Sequence, residues 1–273
     1  MNLVDTERTP LAVVYDTVRA EAEARGVTPT HSELVGLVPE KVLFDTAAHH
    51  VRLEGFTSSS VLEHEVRAVA TAAPTLAGFV ADVAGSDPVP GGGSVSALSG
   101  QLAAALARMV AGLTVGRPRY ADVEDAMRRL ADDADALTRR LGALVDEDAD
   151  AYALVSAAYR TPKDDAGRAS AIEQALLAAA RVPLETARAC RDAAALALTC
   201  AAQGNRNTVT DAGVAALLAD AGCRGAAYNV RVNVVSLSDP STGAPLADAA
   251  RTLVGETREL ARQAEELVEA ALA

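Results

Sequence analysis

The stretch DPVPGGGSVSALSGQLAAALARMVAGLT, Asp87 to Thr114, decides how the rest of the chain is read. Pro88 and Pro90 hold the backbone extended, and three glycines follow without side chains. Ser94 stands where an N-cap belongs, and a run of small and apolar residues to Val115 reads as one helix. Backbone N–H groups bared by glycine at a helix N-terminus favour an anion or a ligand carbonyl. The plainer alternative is a tight connection that lets two helices touch. The turn lacks the GxGxxG spacing of a dinucleotide site and the GK[ST] of a P-loop. Gln101 and Arg108 interrupt the apolar run, and its alanines and glycines make it only weakly hydrophobic. It is expected to be the central, buried helix of a bundle rather than a membrane span.

Composition supports a helical core. Half of the 273 residues are hydrophobic but only 3% are aromatic, and much of the apolar fraction is alanine. That suits closely packed helices better than sheets. A net charge of −12 argues against a nucleic-acid or anionic membrane partner. The cysteines at 190, 200 and 223 have no CxxC spacing and read as reduced thiols of a cytoplasmic protein. Met1 begins a polar segment, so no signal peptide is expected.

Residues 1–70 form the first expected module. Residues 1–5 suit a strand, Pro10 to Arg25 an amphipathic helix, Val27 to Val38 a second strand, and Pro39 to His49 a short helix. Two strands cannot bury a sheet face alone, so this β-α-β-α fragment needs a partner surface. Residues 71–273 form the second module, an antiparallel helical bundle. Its helices are read at Leu76 to Ala84, Ser94 to Val115, Tyr120 to Tyr159, 168–203 with a kink or division at Pro183, Thr208 to Leu218, a further helix after a bend at 221–224, and Leu246 to Ala273. The class is mainly α, preceded by a small α/β fragment.

Within the long Tyr120 to Tyr159 helix an apolar stripe runs Met127, Leu130, Ala134, Leu137, Leu141, Leu144, Asp148, Tyr152, Val155, Tyr159. Asp148 thus falls on a packed face, where a carboxylate is costly unless paired or hydrogen-bonded. Lys163 is the only lysine of the second module, and its compact ammonium differs from an arginine fork. Asp211 lies in a helix first turn, and Asn229 and Asn233, four apart, share a face. No histidine follows His64. The second module therefore has no histidine metal site and no histidine base, and no metal is expected. Acid–base work falls to Asp, Glu, Lys, Tyr or Cys.

These residues carry a resemblance. PVPGGGSVSAL at 88–98, VDEDADAY at 145–152, TPK at 161–163, VPLETA at 182–187, GN at 204–205, TD at 210–211 and YNVRVN at 228–233 resemble, in order, the cyclodeaminase domain of formiminotransferase-cyclodeaminases. That family also includes stand-alone methenyltetrahydrofolate cyclohydrolases. Tyr152, Thr161 and Thr210 stand where the family pattern has Phe, Leu and Ser. Residues 1–5, 9–27 and 32–43 resemble the closing part of the formiminotransferase domain. Most of that domain, including the half expected to carry its catalytic histidine, is not represented, and His31, His49, His50 and His64 do not replace it. No formiminotransferase activity is expected, and the segment is read as a structural leftover or dimerisation element.

The resemblance implies ring closure of 5-formiminotetrahydrofolate to 5,10-methenyltetrahydrofolate and ammonia. It implies Asp148 as general acid/base and Lys163 as electrostatic anchor for folate glutamate carboxylates. Asn205, Thr210, Asp211, Asn229 and Asn233 would line the substrate, with the Gly91, Gly92, Gly93 and Ser94 backbone as one wall. The tetrahydrofolate derivative, free or polyglutamylated, is the substrate, and no separate cofactor is implied. A homodimer with the site near its interface, and a separate formiminotransferase partner, are the implied assemblies. Cyclohydrolase activity, with water as the attacking group, and a non-catalytic folate-binding or oligomerisation scaffold are the alternatives.

Overall fold

A computed structural model of the chain describes residues 2–66 and 75–273. It divides into two units, 1–75 and 76–273. The boundary expected near residue 70 falls outside the described residues.

In the first unit, α1 (Leu11–Glu23) packs on α2 (Glu40–Val51). No strand occurs among the described residues, so the β-α-β-α expectation is corrected to helices alone. Residues 27–38 stay irregular, with Val35 and Leu37 exposed. The alternation that suggests a strand there has no second strand to complete its hydrogen bonds, and a lone strand is not stable.

The second unit holds the short α3 (Leu76–Val83) and five long helices: α4 (Gly92–Thr114), α5 (Glu124–Arg160), α6 (Arg168–Gln203), α7 (Val209–Val235) and α8 (Ala244–Leu272). Helix α4 packs on α5, α6 and α7, while α8 covers α6 and α7. Helix α4 is the one described helix long and apolar enough to cross a membrane; three helices pack on it, but Val95, Leu102, Met109 and Leu113 leave one side exposed, which corrects the expectation of a buried helix. Alanines dominate the core and allow near approach. A Cβ on Gly222 of α7 would lie 2.8 Å from the Ser96 carbonyl oxygen of α4, a backbone atom that cannot step aside. Glycine at 222 therefore serves a helix crossing, not the bend expected at 221–224, and α7 runs straight through.

Helix α6 is likewise undivided at Pro183. Proline has no N–H for the Ala179 carbonyl one turn back. The Asn233 side chain of α7 donates to that carbonyl at 3.1 Å and fills the gap. The apolar stripe of α5 is buried only as far as Leu144, and beyond Asp148 both Tyr152 (44%) and Tyr159 (48%) are exposed. Val155, between them on the stripe, is partly buried against the core.

Candidate active site

The local sequence builds the site's first wall. The Val89–Pro90 peptide is cis and Gly91 is extended (φ −116°, ψ −159°), so α4 starts at Gly92. Ser94 is therefore inside the first turn and not the N-cap expected from sequence. Its hydroxyl donates to Asp148 Oδ2 at 3.0 Å, and its backbone N–H also donates to that carboxylate. Asp148, from the antiparallel α5, thus takes up one of the orphan N–H groups of α4. The N–H groups of Gly92 and Gly93 have no helical acceptor.

The approach requires glycine. A Cβ on Gly93 would lie 2.1 Å from Asp148 Oδ1, well inside contact distance. A Cβ on Gly92 would meet the Asn229 side-chain nitrogen at 3.6 Å, which brings α7 to the same corner. Asn229 donates back to the Gly225 carbonyl at 2.9 Å, and among described residues no group donates to its Oδ1. Asp148 is half-buried. Burial pushes its carboxyl above the ordinary carboxylate range, and the Ser94 hydrogen bonds offset part of that rise. The corner therefore offers a carboxyl able to hold or release a proton, two amides with no acceptor among the described residues, and an amide oxygen.

The other sequence-derived candidates lie elsewhere in one chain. Asn205 is buried at the far end of α4: its Nδ2 donates to the Leu113 carbonyl at 3.0 Å and its Oδ1 accepts from the Asn207 N–H. Its backbone N–H donates to Thr114 Oγ1 at 2.9 Å. Gly92 and Thr114 are the two ends of a helix about 33 Å long. Thr210 and Asp211 start α7 at that far end. Lys163 is exposed in the loop after α5, about 18 Å of helix beyond Asp148. Asn233 is spent on the Ala179 and Asn229 carbonyls.

One feature escaped the sequence reading. Arg224, Tyr228 and Arg231 of α7 and Arg251 and Arg258 of α8 line a groove of about 350 Å³ with no acidic residue in its wall. The residues come from two helices, and the sequence shows only arginines scattered among acids. The three cysteines are free and buried, with the Cys200 thiol pushed up to about 12 by burial, so they offer no nucleophile.

Comparison with known proteins places these features in a family. A family model described as formiminotransferase-cyclodeaminase matches residues 75–252, and one described as formiminotransferase domain matches residues 1–74. A methenyltetrahydrofolate cyclohydrolase of Methylorubrum extorquens is 41% identical over 60% of this chain and 81% of its own. The formimidoyltransferase-cyclodeaminase of Mus musculus is 33% identical over 87% of this chain, which spans 50% of that longer protein. The crystal structure of a formiminotetrahydrofolate cyclodeaminase from Thermotoga maritima superposes with a TM-score of 0.68 at 28% identity, over 74% of this chain and 98% of that one.

Proposed function

The chain belongs to the formiminotransferase-cyclodeaminase family, and from that premise we propose that it closes 5-formiminotetrahydrofolate to 5,10-methenyltetrahydrofolate with release of ammonia. The observation that carries this reading is the meeting of Asp148 with the Gly91–Ser94 turn. A scaffold with no chemistry has no need of a half-buried carboxyl held above its ordinary pKa beside helix amides.

The chemistry balances around one carboxyl. N10 of the folate bonds to the formimino carbon, and the bond from that carbon to its terminal nitrogen breaks. The departing nitrogen gathers two protons, one from N10 and one from solvent. Asp148, alternating between its two forms, carries protons to it, and as a carboxylate it faces the developing cationic carbon. The amides of Gly92 and Gly93 receive a folate carbonyl, and Asn229 Oδ1 accepts from an N–H on its edge. The arginine groove between α7 and α8 takes the glutamate carboxylates that the resemblance assigned to Lys163, with Arg231 and Arg258 as the anchors not already paired to Asp220 or Asp248.

A homodimer completes this reading. Val95, Leu102 (47% exposed), Met109 and Leu113 follow one side of α4, and Val214 and Leu217 (53%) follow α7. A second copy seated there by a two-fold axis across the helices sets the start of α4 beside the far end of its partner. Asp211 of one copy then approaches Asp148 of the other, which unites residues that one chain separates. A Leu102→Arg chain that stays dimeric in sedimentation would remove this interface.

Turnover of 5-formiminotetrahydrofolate tests the reaction, with methenyl product followed by absorbance and ammonia by a coupled assay. Both products at equal rates support it. The 41% identity to a cyclohydrolase favours one second reading, in which water attacks the methenyl carbon. Hydrolysis of methenyltetrahydrofolate without ammonia release from the formimino substrate would select that reading.

A further inference from the structure

The first unit, taken by itself, contains a cluster that the folate chemistry does not use. Asp16 lies on α1, and His49 and His50 lie in the last turn of α2. His49 Nε2 is 2.8 Å from Asp16 Oδ2, and His50 Nδ1 is 3.9 Å from Asp16 Oδ1. One ligand atom from each of the three residues lies within 4.8 Å of the other two. Neighbours on a helix diverge by about 100°, so two consecutive histidines do not ordinarily reach one point. Here they do, because His49 presents its distal nitrogen and His50 its proximal one. Their rings stand nearly perpendicular at 5.2 Å, and Tyr15 meets the His50 ring edge-on at 5.4 Å.

We propose that Asp16, His49 and His50 form a binding site for a divalent transition-metal cation of the zinc type. Zinc bonds of about 2.0–2.2 Å to N and O put tetrahedral ligand atoms roughly 3.3 Å apart. His49 lies 2.8 Å from one Asp16 oxygen and His50 3.9 Å from the other, and one ligand atom from each residue lies within 4.8 Å of the rest, so exposed side chains reach that spacing by rotation. The cation takes the place of the hydrogen bond between Asp16 and His49. One carboxylate and two neutral imidazoles leave a fourth position for water. Imidazole nitrogens select zinc, cobalt, nickel or copper over magnesium and calcium, which take oxygen ligands.

An independent observation says what such an ion does. Among the described residues of the first unit, Ala12 and Val61 are the buried hydrophobic ones. A unit of this size with so small a core lies in the range where a metal or disulfide supplies the missing stability. The three ligands join α1 to α2 across more than thirty residues, the kind of link that stabilises by closing a long loop. The role is structural and independent of the folate reaction.

The test uses the full, tag-free chain after chelator treatment, titrated with cobalt(II) chloride. One equivalent with visible tetrahedral absorption, displaced by zinc chloride, is the expected result. Hydrogen exchange across 11–51 should slow when zinc is present and not when magnesium is. His49→Ala and Asp16→Asn should each weaken cobalt binding at least tenfold, whereas His31→Ala should not. Circular dichroism confirms that each variant retains its helices. Absence of cobalt absorption in the wild-type chain would overturn the proposal. Binding undiminished in His49→Ala/His50→Ala, or exchange across 11–51 indifferent to zinc, would overturn it equally.

Discussion

Each end of α4 meets a polar side chain from another part of the chain, and the two are used differently. At its start, Gly93 has no side chain so that the Asp148 carboxylate can sit against the backbone. At its end, Asn205 reaches in with a side chain and closes the helix terminus. Both polar groups come from a neighbouring helix or its cap, and both satisfy backbone groups that α4 leaves open. Asn205 Nδ2 and Oδ1 both have protein partners, and it does structural work. Asp148 remains short of partners relative to its burial, and its proton affinity rises. A polar residue at a helix end is a candidate for chemistry when its hydrogen-bonding capacity exceeds what the fold consumes.

The contrast can be broken at either end. Asp148→Asn keeps the shape of the side chain but cannot carry a proton, and turnover should fall by about 10²–10⁴-fold. Turnover at the wild-type rate would reduce Asp148 to a helix cap. Gly93→Ala forces the carboxylate aside, and kcat should drop by about 10²-fold with the helical content retained. An unchanged kcat would mean that the position of Asp148 is not critical.

The far end should answer in stability. Asn205→Ala strands the Leu113 carbonyl and should lower unfolding free energy by about 1–3 kcal/mol, read from denaturant midpoints, with kcat of the folded protein unchanged. A kcat defect there without a stability loss would reverse the contrast. The smallest effect is a pH dependence. Burial raises the Asp148 pKa above its unfolded value, so the folded chain holds the extra proton between the two. Wild-type stability relative to Asp148→Asn should therefore fall as pH rises through that window. A difference that is flat or rises with pH would show that the Ser94 hydrogen bonds outweigh burial.

Much of the bundle was legible because helical periodicity is local. The stripe through Leu141 and Leu144 put Asp148 on a packed face, and the Gly-rich turn marked a near approach. Each marked one side of the corner, but spacing could not show that they meet, nor that Asn205, Asp211 and Lys163 stand apart from them in one chain. What failed was not local. The alternation in 27–38 cannot state whether a neighbouring strand exists to accept it. Gly222 reads as a bend until the Ser96 carbonyl is seen above it. Asn205 and Asn233 advertise amides without showing the backbone groups that consume them. The histidine pair at 49–50 lacks a metal-ligand spacing because the third ligand stands on another helix, thirty-three residues back.

The amide of Asn233 set against the carbonyl that Pro183 leaves free has a consequence for how this sequence can change. Each residue alone is a liability, a helix breaker in one helix and a polar group on the packed face of another. Together they cancel, so neither is free to drift by itself. Pro183→Ala would supply the missing N–H and make the asparagine redundant, whereas Asn233→Leu would leave the carbonyl bare. Mutational tolerance at the two sites is therefore asymmetric, and history should matter: the path that alters 183 first stays open, and the path that alters 233 first runs through a weakened protein.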